Sequence, residues 1–92
     1  MRFSPSLSSQ FKKDFKLCEK RRLPLDELES VITKLMDDQP LAPKHKAHLL
    51  KGRFAGHWEC HIRPDWLLIW VRDEEAGELY FVRTGTHSDL FD

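Results

Sequence analysis

The sequence predicts an α+β fold, an N-terminal antiparallel helical hairpin packed on one face of an antiparallel β-sheet. Three observations carry that prediction. Apolar residues recur twice at helical spacing in the first 36 positions, with a Leu23-Pro24 break between the two runs. Three strand-like runs then crowd into residues 58–82, separated by turn signals. The helices precede the strands, which is the order of a layered α+β domain and not of alternating βαβ units. A chain of 92 residues is expected to form one domain, 1–92.

Residues 1–6 read as a short strand or a frayed end, and Pro5 argues against a long strand. Leu7, Phe11, Phe15 and Cys18 then define one face of a helix, with Lys12, Lys13, Asp14, Lys16 and Glu19 between them. Ser8 or Ser9 offers a side-chain oxygen to cap it. Lys20, Arg21 and Arg22 sit where the negative end of the helix dipole favours cations. After Pro24, Leu25, Leu28, Val31, Ile32, Leu35 and Met36 form the apolar face of a second helix, with Asp26, Glu27 and Glu29 near its positive end. It should stop before Gln39-Pro40.

Residues 39–56 contain Pro40, Pro43, Gly52 and Gly56 and read as loop, with one helical turn at Lys44 to Leu49. In Trp58-Glu59-Cys60-His61-Ile62, strand alternation puts Trp58, Cys60 and Ile62 on one face and Glu59 and His61 on the other. Arg63-Pro64-Asp65 is a turn. Trp66 to Val71 is apolar throughout, as a central strand covered on both faces would be. Asp73 to Gly77 is a hairpin loop, and Leu79 to Val82 is the last strand, with Arg83 at its end.

A hydrophobic share of 40% against 33% charged residues excludes a disordered tail. No apolar run is long enough to span a bilayer, and Met1 to Pro5 lacks the apolar core of a signal peptide, so a cytoplasmic location is expected. Cys18 and Cys60 are then expected to be reduced and packed. The formal net charge is zero, but it is unevenly spread. From Gln39 through Trp58 there is no acidic residue, while Lys44, Lys46, Lys51 and Arg53 lie there with His45, His48 and His57. Such a stretch either solvates a loop or forms the cationic face that meets a polyanion.

All five histidines fall between positions 45 and 87. His61 lies on the polar face of its strand, Asp65 follows just past the turn, and His87 comes directly after the last strand, beyond Gly85. The end of one strand, the next turn and the tail of a meander meet at one end of the sheet, and His48 enters from the basic loop. Those parts match the needs of RNA cleavage. The ribose 2′-hydroxyl must lose a proton, the departing 5′-oxygen must gain one, and groups that titrate near neutrality do both. Arg83 offers a fixed guanidinium for the phosphoryl charge, with Lys51 and Arg53 as helpers. Phe91 offers a face on which an unpaired base can stack. No metal or other cofactor is needed.

Plainer readings compete. Any one of these histidines alone is more often a surface residue, and Asp65 is an ordinary turn residue. Trp66 and Trp70 read more simply as core, Phe91 as a gap filler, and Arg83 as a cross-strand partner of Glu59 or Glu78. A zinc site built on His57, Cys60 and His61, completed by Cys18 or His87, is the sharper rival. Adjacent strand residues Cys60 and His61 point to opposite faces, which counts against it.

Two blocks change the balance. Cys60-His61-Ile62-Arg63-Pro64-Asp65-Trp66-Leu67-Leu68-Ile69 and Arg83-Thr84-Gly85-Thr86-His87-Ser88-Asp89-Leu90-Phe91, led by His48-Leu49-Leu50-Lys51-Gly52 and Gly56-His57-Trp58, resemble the YafQ family within the RelE/ParE superfamily. The resemblance runs from about residue 44 to the end; before that it lies in helix placement and length. It implies two helices on a curled antiparallel sheet of three to four strands. It further implies a toxin of a type II toxin–antitoxin pair that cuts mRNA in the ribosomal decoding site without metal. The implied partners are the ribosome, its message and a cognate antitoxin of DinJ or RelB type. By position, His48, His61, Asp65 and His87 match the family's catalytic residues, while Trp66 and Phe91 match residues that support the site or place the RNA. His87 is then expected to be the general acid, Asp65 or His61 the base or its orienting group, and Arg83 the phosphate contact. Lys44, Lys46, Lys51 and Arg53 would hold the RNA backbone. The superfamily also holds ParE-like toxins that grip a protein such as DNA gyrase, which is the alternative. His45 has no counterpart in the resemblance.

Overall fold

The computed structural model describes all residues from Met1 to Asp92. In chain order it contains β1 (Ser4–Leu7), α1 (Ser9–Lys20), α2 (Leu25–Met36), β2 (His48–Leu49), β3 (Trp58–Arg63), β4 (Trp66–Asp73), β5 (Glu78–Gly85) and α3 (His87–Phe91). Two 3-10 turns, Pro43–His45 and Gly52–Phe54, punctuate the loop before β3. The helical hairpin and the α+β class stand as the sequence predicts. Ser8 is the cap of α1: its oxygen accepts the Phe11 N–H at 2.8 Å, and its hydroxyl donates to the Val82 carbonyl at 2.7 Å. One serine therefore ends the strand, starts the helix and ties both to β5.

The sheet is larger than expected, with five strands in the order β1-β5-β4-β3-β2. It is also mixed, because β1 runs parallel to β5 from Ser4 opposite Glu78 to Leu7 opposite Phe81. Leu7 thus belongs to β1 and stays exposed, although its spacing fits the helix that follows. The helical turn expected at Lys44 to Leu49 is instead a 3-10 turn that ends at His45. Lys46 then takes a left-handed conformation (φ 47°), and the chain enters the two-residue β2. β5 runs on to Gly85, so Arg83 lies inside the strand and not at its end.

The two faces of the sheet are covered differently. Cys60, Ile62, Trp66, Leu68, Trp70, Leu79 and Phe81 pack beneath the helices against Phe11, Cys18, Leu28, Val31 and Met36. On the other face Leu67 and Ile69 are buried under Leu90, with Leu50, Phe54, Val82 and Phe91 around them. The unbroken apolar run of β4 is therefore that of a strand feeding two cores. Cys18 and Cys60 are free and buried, and burial pushes the Cys60 thiol up to about 12, so it is not a thiolate near neutral pH. No helix is long and apolar enough to cross a membrane.

Candidate active site

Strand register lines up the polar residues of the second face. His48 of β2 stands opposite Glu59 of β3, Glu59 opposite Ile69 of β4, and Ile69 opposite Arg83 of β5. The neighbouring row runs from His61 through Leu67 to Gly85. Directly paired residues share a face, so His48, Glu59 and His61 border one side of the Leu67–Ile69 floor and Arg83 the other. Two strand spacings, about 10 Å, separate the backbones of Glu59 and Arg83.

Both imidazoles on this face are held the same way. His48 Nδ1 lies 2.7 Å from the Lys46 carbonyl, and His61 Nδ1 lies 3.1 Å from the Pro64 carbonyl. A carbonyl only accepts, so each Nδ1 carries a proton and donates it. Nε2 is left as the working nitrogen of each ring. The two Nε2 atoms approach one oxygen, Oε1 of Glu59, at 3.4 Å from His48 and 3.9 Å from His61. Glu59 is only 6% exposed. The sequence reading missed it, although the Glu-x-His alternation already put it beside His61. What it lacked was the β2 register that brings His48 opposite.

His87 is set by α3. Thr86 and Asp89 form a capping box, each side chain accepting the other's backbone N–H. Asp65 Oδ1 accepts the N–H of His87 itself at 3.0 Å, satisfying another free donor of the first turn. Asp65 therefore acts on the start of the helix through a backbone amide, whereas the sequence led to the expectation of a base or a group that orients an imidazole ring. The His87 ring packs on Phe91 at 4.9 Å between centroids, and Phe91 meets Phe54 edge-on at 5.8 Å. Arg21 of the α1 C-cap pairs with Asp89 at 2.6 Å, and this guanidinium holds the Asp89 carboxyl well below the usual carboxylate range. Gly85 has φ 155°, and a Cβ there would lie 2.8 Å from Asp89 Oδ2. Only glycine lets the chain leave β5 and fold α3 back this tightly.

Three expectations need correction. Trp66 is 2% exposed on the helix-covered face, donating Nε1–H to Thr84 Oγ1 at 3.0 Å, while Thr84 donates to the Leu67 carbonyl at 2.7 Å. It supports the sheet below the site and has no surface to offer RNA. Arg83 pairs with neither Glu59 nor Glu78. Its Nε and Nη2 donate to Asp14 of α1 at 2.7 and 3.2 Å, which leaves Nη1 without a protein partner. Arg53 is likewise engaged, donating Nη2–H to the Leu90 carbonyl at 3.0 Å with its guanidinium 5.0 Å above Phe54. Lys51 is exposed at the start of the Gly52–Phe54 turn. Lys44 and Lys46 line an open groove of about 510 Å³ with Glu27, His61, Ile62, Arg63 and Pro64. The zinc alternative fails on placement: Cys60 is sealed beneath the helices while His61 lies on the other face. No group of three or more His, Cys, Asp or Glu side chains is arranged to hold a metal ion.

Residues 3–92 match the family described as "Bacterial toxin of type II toxin-antitoxin system, YafQ". The mRNA interferase toxin YafQ of Escherichia coli K12 is 39% identical over 85 residues, covering 91% of this chain and 90% of that protein. The E. coli DinJ–YafQ toxin–antitoxin complex contains a chain that superposes with a TM-score of 0.90 at 35% identity over the full length of both. A metal-bound toxin from Helicobacter pylori superposes with a TM-score of 0.92 at 40% identity, covering 97% of this chain and 99% of that one. The fold, the row of polar residues on one sheet face and the match across nearly the whole length agree: this chain belongs to the YafQ family of type II toxin–antitoxin toxins.

Proposed function

We propose that this chain is an mRNA interferase, a metal-independent endoribonuclease that cuts messages in the decoding site of the ribosome. The observation that carries the reading is the pair of imidazoles tied by Nδ1 to backbone carbonyls, with both Nε2 atoms turned to buried Glu59. Such a set takes a proton without a metal. His61, backed by Glu59 and His48, removes the proton of the 2′-hydroxyl. The resulting oxygen attacks the adjacent phosphorus and expels the 5′-oxygen, which takes its proton from His87. The products are a 2′,3′-cyclic phosphate and a free 5′-hydroxyl. Arg83, fixed by Asp14, presents Nη1 to the charge that develops on the phosphoryl oxygens; a donor already in place loses nothing to reorganisation during the step. Phe91 stacks an unpaired base at about 1–3 kcal/mol. Lys44, Lys46 and Lys51 steady the RNA backbone.

A chain with zero net charge attracts RNA weakly by itself, which fits a nuclease whose message is positioned by the ribosome in the cytoplasm. Its inhibitor in this reading is a cognate antitoxin of DinJ or RelB type, as family membership suggests. The test is in vitro translation with toxin dialysed against EDTA, mapping message 5′ ends by primer extension beside His61→Ala and His87→Ala. New ends inside coding sequence that vanish in both variants are expected. Intact message from a folded, growth-arresting protein would overturn the reading in favour of a toxin that grips a protein such as DNA gyrase.

A further inference from the structure

We propose that His45 is a positioning residue, clamping the Pro43–His45 turn to β3 through the carbonyl of His61 and so fixing the Lys46 carbonyl that holds His48. The inference rests on the reading of His48 and His61 as reacting groups.

The need for a clamp comes from the shortness of β2. It pairs only with Trp58 and Glu59, so beyond Glu59 the outer edge of β3 has no neighbouring strand to bond. His45 fills that gap. Its Nδ1 lies 2.6 Å from the His61 carbonyl, and because a carbonyl only accepts, the ring donates there in place of a missing strand N–H. Its own backbone is tied into the turn, with His45 N–H donating to the Ala42 carbonyl at 3.0 Å and Lys46 N–H to the Pro43 carbonyl at 3.1 Å.

The next residue explains the consequence. Lys46 closes the turn in a left-handed conformation, which is uncommon for a residue with a Cβ. That conformation aims its carbonyl at His48 Nδ1, which makes His48 present Nε2 to Glu59. The ring of His45 is thus bonded to the backbone of one reacting histidine and, one residue on, governs the tautomer of the other. The same turn carries Lys44 and Lys46 into the groove beside His61. Released from β3, Lys46 relaxes, its carbonyl turns away, and His48 reverts to a mixture of tautomers.

The test uses full-length toxin with ¹⁵N-labelled imidazoles, comparing wild type, His45→Phe and His45→Asn. Phenylalanine keeps the bulk without the donor, whereas asparagine restores an N–H near the position of Nδ1. The expected result is an Nδ1–H tautomer at His48 in the wild type and in His45→Asn, and a mixture in His45→Phe. Ribosomal cleavage by His45→Phe should slow on the order of 10- to 100-fold, the scale of a reacting group misplaced by about an ångström. KM should change far less than kcat, and asparagine should recover most of the rate. A wild-type tautomer at His48 in His45→Phe, whether its rate is normal or reduced, overturns the clamp. If wild-type protein leaves messages intact, the interferase reading fails while the imidazole spectra still decide the role of His45.

Discussion

The two faces of the sheet are made by the same strands yet obey opposite rules. Beneath the helices, alternate residues of β3, β4 and β5 present Cys60, Ile62, Trp66, Leu68, Trp70, Leu79 and Phe81, and only Thr84 interrupts with a polar atom, which is fully bonded. One residue along each strand, the other face presents Glu59, His61 and Arg83 around a small apolar floor. The first face supplies apolar burial, the dominant favourable term in folding. The second sets out charges whose partners are few and whose positions come from backbone carbonyls and distant side chains. In the proposed mechanism, stability and chemistry are therefore separable by a shift of one residue.

Four changes test how far that separation holds. The largest effect is expected from His61→Ala, which should slow cleavage by about 100- to 10,000-fold, the contribution of a general acid or base. Its unfolding free energy should change by less than about 1 kcal/mol; comparable losses in urea denaturation would break the comparison. Phe81→Ala is the mirror image. It empties a fully buried site and should cost about 3–5 kcal/mol, read as a lowered urea midpoint. Any residual folded fraction should cut message at the normal rate.

Asp89→Asn bridges the two faces, since Asp89 caps the helix that bears His87 and pairs with Arg21 beneath. It should cost about 1 kcal/mol at pH 7. The folded carboxyl is depressed below its unfolded value, so its contribution is complete above the unfolded pKa of about 4 and is lost as pH falls through the folded one. The gap in Tm between wild type and Asp89→Asn should therefore close on acidification below pH 4, and a constant gap would show that the charge is irrelevant. The smallest effect belongs to Lys46→Ala. Loss of one phosphate contact should lower the slope of log affinity against log salt for a single-stranded oligonucleotide by about 0.7, with the fold unchanged.

The comparison also explains what was legible from sequence alone. The covered face is written in local periodicity, so both helices, the three central strands and nearly all their buried residues could be read directly. Two strands could not. β1 carries Pro5 and pairs in parallel with residues more than 70 positions away, and β2 is too short to show any period. The site suffered from the same gap. His61, Asp65 and His87 stood out by type and place, but the role of Glu59 depends on β2, and the partner of Arg83 is Asp14 in another helix, 69 positions away. Long-range pairing between isolated polar residues leaves no local trace. His45, which matched nothing by resemblance, gained a partner only when the edge of β3 became visible.

Gly85 has a consequence in genetics. Every missense change of a glycine codon adds a Cβ, and here that atom lands 2.8 Å from a carboxylate oxygen of the cap that starts α3. At Gly52, Gly56 and Gly77 the same atom would meet open space, leaving only the strain of a positive φ. Colonies that survive expression of this gene without its antidote should therefore carry lesions at codon 85 far more often than at the other three, and the alleles recovered there would disarm the protein without altering any atom that touches the message.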